Sequence, residues 1–85
     1  MDKELTSLPN IGPVLAENLC AVGLDTTEKF RAAGAREAFL RIRSQVDAGA
    51  CFHQLTALAG AELDMPRKML TPAQKQGLRA FFDSL

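Results

Sequence analysis

Residues 8–13, Leu-Pro-Asn-Ile-Gly-Pro, admit few backbone paths. Pro9 lacks an N–H and its ring clashes with a preceding helical turn, so a helix reaching Leu8 stops there. Pro13 suits the first position of a new helix, where the missing N–H has no intrahelical partner to lose. Asn10 and Gly12 between them tolerate tight-turn backbone angles. The stretch therefore predicts two helices meeting at a sharp turn. No strand pattern follows it: apolar residues recur at three and four, and β-branched residues are few.

The rest of the chain is punctuated in the same way. A first helix runs from a cap at Asp2 to about Leu8, and a second from Pro13 to a left-handed end at Gly23. Asp25 and Glu28 read as the start of a third, which Gly34 stops. A fourth covers about Ala35 to Asp47, and a fifth begins near Cys51 and frays between Gly60 and Asp64. Residues 64–70, Asp-Met-Pro-Arg-Lys-Met-Leu, form a connecting loop. Thr71, Pro72 and Gln74 supply a cap, a first-turn proline and the capping-box partner for a closing helix. The expected fold is all-α, a compact bundle of five to six short helices in one domain over 1–85, opening with a helix-hairpin-helix (SAM-like) unit.

Helix faces separate core from surface. The second helix has Leu15, Leu19 and Val22 on one stripe, and Val14, Ala16, Cys20 and Ala21 fill most of the remainder, the pattern of a core helix. The fourth buries Ala35, Phe39, Ile42 and Val46. Arg36 and Arg43 lie between that stripe and Leu40, where their stems either snorkel over the core or frame a contact surface. Arg41 can meet Glu37 one turn earlier. In the fifth, Cys51, Phe52, Leu55, Leu58 and Ala59 face the core, and His53 is expected as a half-buried imidazole on a ridge with Ala57 and Gly60. The last presents Leu78, Phe81, Phe82 and Leu85 inward, with Lys75 and Arg79 at its edge.

Composition then removes whole classes of function. A 47% hydrophobic and 24% charged chain has the apolar content of a globular protein rather than a disordered one. Cys20 and Cys51 are too few for a disulfide framework and are expected as buried thiols. No leader pattern and no membrane-length apolar run is present, which places the protein in the cytoplasm with no membrane partner. No phosphate loop, dinucleotide glycine pattern, nucleophile elbow or metal-ligand spacing occurs, so no enzyme, cofactor or metal is expected. Ten basic and ten acidic residues cancel, and the hairpin half, residues 1–34, is acidic by two. A non-specific DNA binder ordinarily carries a basic excess. The chain also lacks Tyr or Trp on which single-stranded bases could stack.

The hairpin remains. Helix-hairpin-helix turns place two glycines around an apolar anchor, so that N–H groups at the next helix start face a phosphate. Here the triplet is Asn10-Ile11-Gly12. Asn accepts the left-handed region, which preserves the turn; Pro13 contributes no donor, and Val14 stands where a cation would strengthen the grip.

Three segments together resemble the C-terminal domain of TfoX/Sxy-type bacterial competence regulators. Residues 5–45 are similar to its opening hairpin and the two helices after it. Residues 51–61, with Cys51, Leu55, Ala57, Leu58, Gly60 and Ala61, are similar to its central helix, and residues 70–85 to its closing one. The resemblance implies an all-α fold and a link to DNA, in a family whose longer members carry a further N-terminal domain and regulate DNA-uptake genes. It supplies no catalytic residue.

Two readings follow. In the first, the chain is a small non-enzymatic regulatory module acting through protein contacts, with a partner surface at Arg36, Leu40 and Arg43. In the alternative, it binds DNA directly: N–H groups near Asn10, Gly12 and Val14 take a phosphate, with Arg36 and Arg43 close by.

Overall fold

The computed structural model describes residues 5–85. A helical turn at residues 5 and 6 precedes five helices: α1 (Pro13–Ala21), α2 (Thr27–Ala33), α3 (Ala35–Gln45), α4 (Phe52–Glu62) and α5 (Pro72–Asp83). A single 3-10 turn, Arg67–Met69, interrupts the 64–70 loop. Among the described residues there is no strand. The expected cap at Asp2 lies outside them.

The helices surround one apolar cluster. Leu5, Leu19, Phe30, Phe39, Ile42, Leu55 and Leu58 are its largest fully buried side chains. The central helix is α4, whose residues 55–61 are all buried, and α3 packs along it more extensively than any other pair of helices. Full burial of a Leu or Phe contributes about 2 kcal/mol, so this cluster carries the fold.

Helix ends follow local chemistry closely. Pro13 opens α1 after Gly12. Its other end closes with Gly23 at φ 84°, where Gly23 N donates to Cys20 O and Leu24 N to Leu19 O, the paired bonds of a Schellman end. Both halves of the Thr71/Gln74 capping box form at α5. The start of α2 departs from expectation by one residue. Thr26 is the cap, accepting from Lys29 N, and Asp25 instead pairs with Lys29 Nζ at 3.0 Å. That hydrogen bond holds the Asp25 carboxyl below its ordinary range. The pair therefore stabilises the fold above the unfolded carboxyl's range, and its contribution is lost as pH falls through the lowered value.

Between α2 and α3 the chain turns on Gly34, with φ 86° and ψ 162°, a region essentially closed to other residues. Glu62, at the far end of α4, completes the corner by accepting from Ala35 N at 2.9 Å. A carboxylate at this position satisfies a free N–H and opposes the positive helix end. α3 stops at Gln45, short of Asp47, because Asp47 N bonds back to Ile42 O and the Asp47 side chain accepts from Gly49 N, a local turn that competes with helix.

The end of α4 repeats the Schellman pattern with a less suitable residue. Met65 N donates to Gly60 O and Asp64 N to Ala61 O, with Asp64 at φ 59°. Asp64 is strained there, and its charge opposes the negative end of the helix. Asp64→Gly is therefore expected to raise stability by about 1 kcal/mol in urea unfolding. A loss of stability would show that the Asp64 side chain contributes more than this geometry gives it.

Several surface expectations change. Val14, expected on a core helix, is 73% exposed, because only the Leu15/Ala16/Leu19 side of α1 meets the bundle. Val46 lies beyond the end of α3 and is exposed. Cys51, expected as a buried thiol, and His53, expected half-buried, are both exposed, because the first turn of α4 projects past the core that begins at Leu55. Neither cysteine is in a disulfide among the described residues, and Cys20 is half-buried.

Candidate functional site

Asn10 does take the left-handed conformation, at φ 69°. Its side chain then turns toward α4. Nδ2 donates to Met65 O at 3.0 Å and to Ala57 O at 3.3 Å, and Oδ1 accepts from Arg67 N at 3.1 Å. One amide thus ties the hairpin to α4 and to the loop after it. Gly60 is the complementary notch: a Cβ there would lie 2.5 Å from Asn10 Nδ2 and 2.7 Å from Met65 O. The Asn10 side chain is spent on this junction.

The junction sets up a surface beside it. By holding Arg67 N, Asn10 brings the 64–70 loop against the start of α1. A cleft of about 370 Å³ results, lined by Gly12, Val14, His53, Gln54, Ala57 and Arg67 among others. The start of α1 opens onto it with no side-chain cap, leaving N–H groups of its first turn available. An adjoining cleft of about 260 Å³ shares His53 and Arg67 and adds Phe52, Thr56, Lys68 and Lys75. The two clefts adjoin at His53 and Arg67, and neither has an acidic side chain in its lining.

Cations among the described residues divide into paired and unpaired ones, with Arg31, Arg36 and Arg43 also outside ion pairs. Lys29, Arg41 and Arg79 are each neutralised one helical turn away, by Asp25, Glu37 and Asp83. Among the described residues, no carboxylate lies within ion-pair distance of Arg67, Lys68 or Lys75. Arg67 and the exposed His53 therefore lie beside the uncapped helix start, and Lys68 and Lys75 continue the cationic lining into the adjoining cleft, an arrangement suited to an extended polyanion. The side chain of Gln54, in the same lining, holds a buried Oε1 with no partner.

The arginines expected beside the hairpin lie elsewhere. Arg36 sits 5.2 Å over the Phe81 ring, spanning α3 and α5, and lines a groove of about 500 Å³ with Glu62, Leu63, Gln74 and Leu78. Arg43 and Leu40 border a separate depression with Ser44 and Ala48. The Arg36/Leu40/Arg43 surface is thus divided, and neither arginine lines the hairpin cleft. Asn10, Gly12 and Val14 stay together, and the cation beside them is Arg67, with Lys68 and Lys75 in the adjoining cleft. Those three cations were legible only as charges near the last helix start, since the approach of Arg67 to the hairpin depends on its bond to Asn10. Among the described residues no cluster suits a metal ion, and no helix is long and apolar enough to cross a membrane.

Fold and site together define a small all-helical module built on a hairpin, with a cationic cleft at its turn. The chain belongs to the TfoX C-terminal domain family, which it matches over residues 1–82. Membership points to a regulatory role connected with competence. An uncharacterized protein from Listeria monocytogenes, solved in a triclinic crystal, is 39% identical with a TM-score of 0.91, over 94% of this chain and 90% of that one. A protein of unknown function from the same organism, in a tetragonal crystal, is 38% identical with a TM-score of 0.89, over 93% and 96% of the two chains. No curated protein matches the chain.

Proposed function

We propose that the chain is a non-enzymatic regulatory module that binds the phosphate backbone of nucleic acid through the hairpin cleft. One observation carries this reading: uncompensated cations line two adjoining clefts, Arg67 in the one onto which the start of α1 opens, and Arg67 with Lys68 and Lys75 in the next. Gly12 and Val14 N–H groups serve one phosphate, and the cations and His53 follow the strand away from it. Asn10 positions these groups and makes no contact of its own. Zero net charge is compatible with this role, because Asp25, Glu37 and Asp83 each pair with a cation one turn away and line neither cleft.

Fluorescence anisotropy with a labelled oligonucleotide at several salt concentrations tests the proposal. Three phosphate contacts give a log–log slope of about −2 on a single strand and about −3 on a duplex. Affinity then falls roughly 20- to 40-fold between ~50 and ~200 mM salt. Absence of binding at the lower salt would remove the reading.

Protein contact is the second reading, supported by the groove between α3, α4 and α5, where Leu63 is 49% exposed. Arg36→Glu/Leu63→Glu should abolish capture of a partner from a bacterial lysate while the fold persists. Unchanged capture would exclude that groove.

A further inference from the structure

Phe52 lies in the same lining as Lys68, Lys75, Arg67 and His53. It is half-buried, with Phe82 edge-on at 5.6 Å and the Arg79 guanidinium 5.0 Å from its ring centre. Arg79 is itself fixed by Asp83 and lies 5.8 Å from the Phe82 ring. The ring is therefore held rigidly from the α5 side while it borders the cationic cleft. A duplex backbone offers such a cleft only phosphates and sugars, and an aromatic wall gains nothing from either. An unpaired nucleotide offers a phosphate to the lysines and a base face to the ring, and base–aromatic stacking tolerates any sequence.

We infer that the cleft takes single-stranded nucleic acid, with one base packed against Phe52 and the adjoining phosphates along Lys75, Lys68 and Arg67. This rests on the phosphate-binding reading above and narrows it to unpaired strands. Arg79 acts as a positioning residue, stiffening the ring from its far side. The same chemistry is available from DNA or RNA, and the strand's source is read directly in the experiment.

The chain contains no Trp, so Phe52→Trp introduces a single fluorophore at the proposed stacking position. Oligonucleotides of about ten nucleotides, within the ~4–16 typical of such sites, are titrated as single-stranded DNA, single-stranded RNA and duplex DNA. Anisotropy of a labelled strand is followed in parallel. Quenching of the Trp emission by either single strand, with little by the duplex, is the expected result, and the stronger quencher names the source. In the wild-type background, Phe52→Leu keeps an apolar side chain against Phe82 but should weaken single-strand binding about tenfold, with duplex binding unchanged. Anisotropy showing binding without quenching, or equal losses for strand and duplex in Phe52→Leu, would overturn the stacking inference and leave phosphate binding standing. No anisotropy change with any oligonucleotide would overturn both.

Discussion

Gly60→Ala is expected to lower the stability of the chain by about 3 kcal/mol. The added methyl group would meet Asn10 Nδ2 and Met65 O at distances that real Cβ atoms do not adopt, with Arg67 Cα only 3.3 Å away. Two of those three neighbours are backbone, so relief requires moving the 64–67 loop or breaking the Asn10 bonds. Asn10→Ala approaches the junction from the other side. It removes three hydrogen bonds and leaves at φ 69° a residue that tolerates the left-handed region less well than Asn, for an expected loss of ~3 kcal/mol. Asn10→Gly keeps the backbone unstrained and loses only the bonds, so it should be milder by about 1 kcal/mol. Urea unfolding measures all three. Gly60→Ala within ~0.5 kcal/mol of the parent chain would show that the junction is looser than its distances imply.

The second large effect concerns binding. Arg67→Glu/Lys75→Glu removes two of the three cations on the cleft and replaces attraction by repulsion, so nucleic-acid affinity should fall about a hundredfold or more at moderate salt. Both side chains are exposed and outside ion pairs, so the fold should be unaffected. Arg36→Glu/Arg43→Glu is the matched control: it makes the same change in net charge on residues that line neither cleft. Its affinity should fall only by the small long-range contribution of net charge. Equal losses in the two double variants would mean that overall charge, not the cleft, governs binding.

Most of the fold was legible because helix ends are decided locally. Pro13, Gly23, Gly34 and the Thr71/Gln74 box each act within a few residues of themselves. The Thr26 cap was misplaced by one residue because Asp25 and Thr26 are both good caps, and Lys29 decides between them by engaging one with its amide and the other with its ammonium. The site was legible only in half. Asn10 could be read as a left-handed turn residue from its type, but its three bonds go to residues 47 to 57 positions away, beyond any local pattern. The acidic balance of residues 1–34 argued against a phosphate contact there. The fold brings Arg67 of the basic half to the hairpin cleft, so the charge of residues 1–34 alone does not describe that cleft. Phe52 looked like a core residue because its helical spacing matches the buried face. Its place in the first turn of α4, where the core has not yet closed, leaves it on the cleft.

An amide chemical-shift map of the isotope-labelled chain, titrated with a short single-stranded DNA at low salt, bears most directly on this arrangement. Saturable changes should concentrate at Gly12, Val14, His53, Arg67, Lys68 and Lys75, with Arg36, Leu40 and Arg43 left nearly unmoved. Changes centred on Arg36, Leu40 and Arg43, or a spectrum indifferent to the oligonucleotide, would contradict the assignment of the hairpin cleft as a nucleic-acid site.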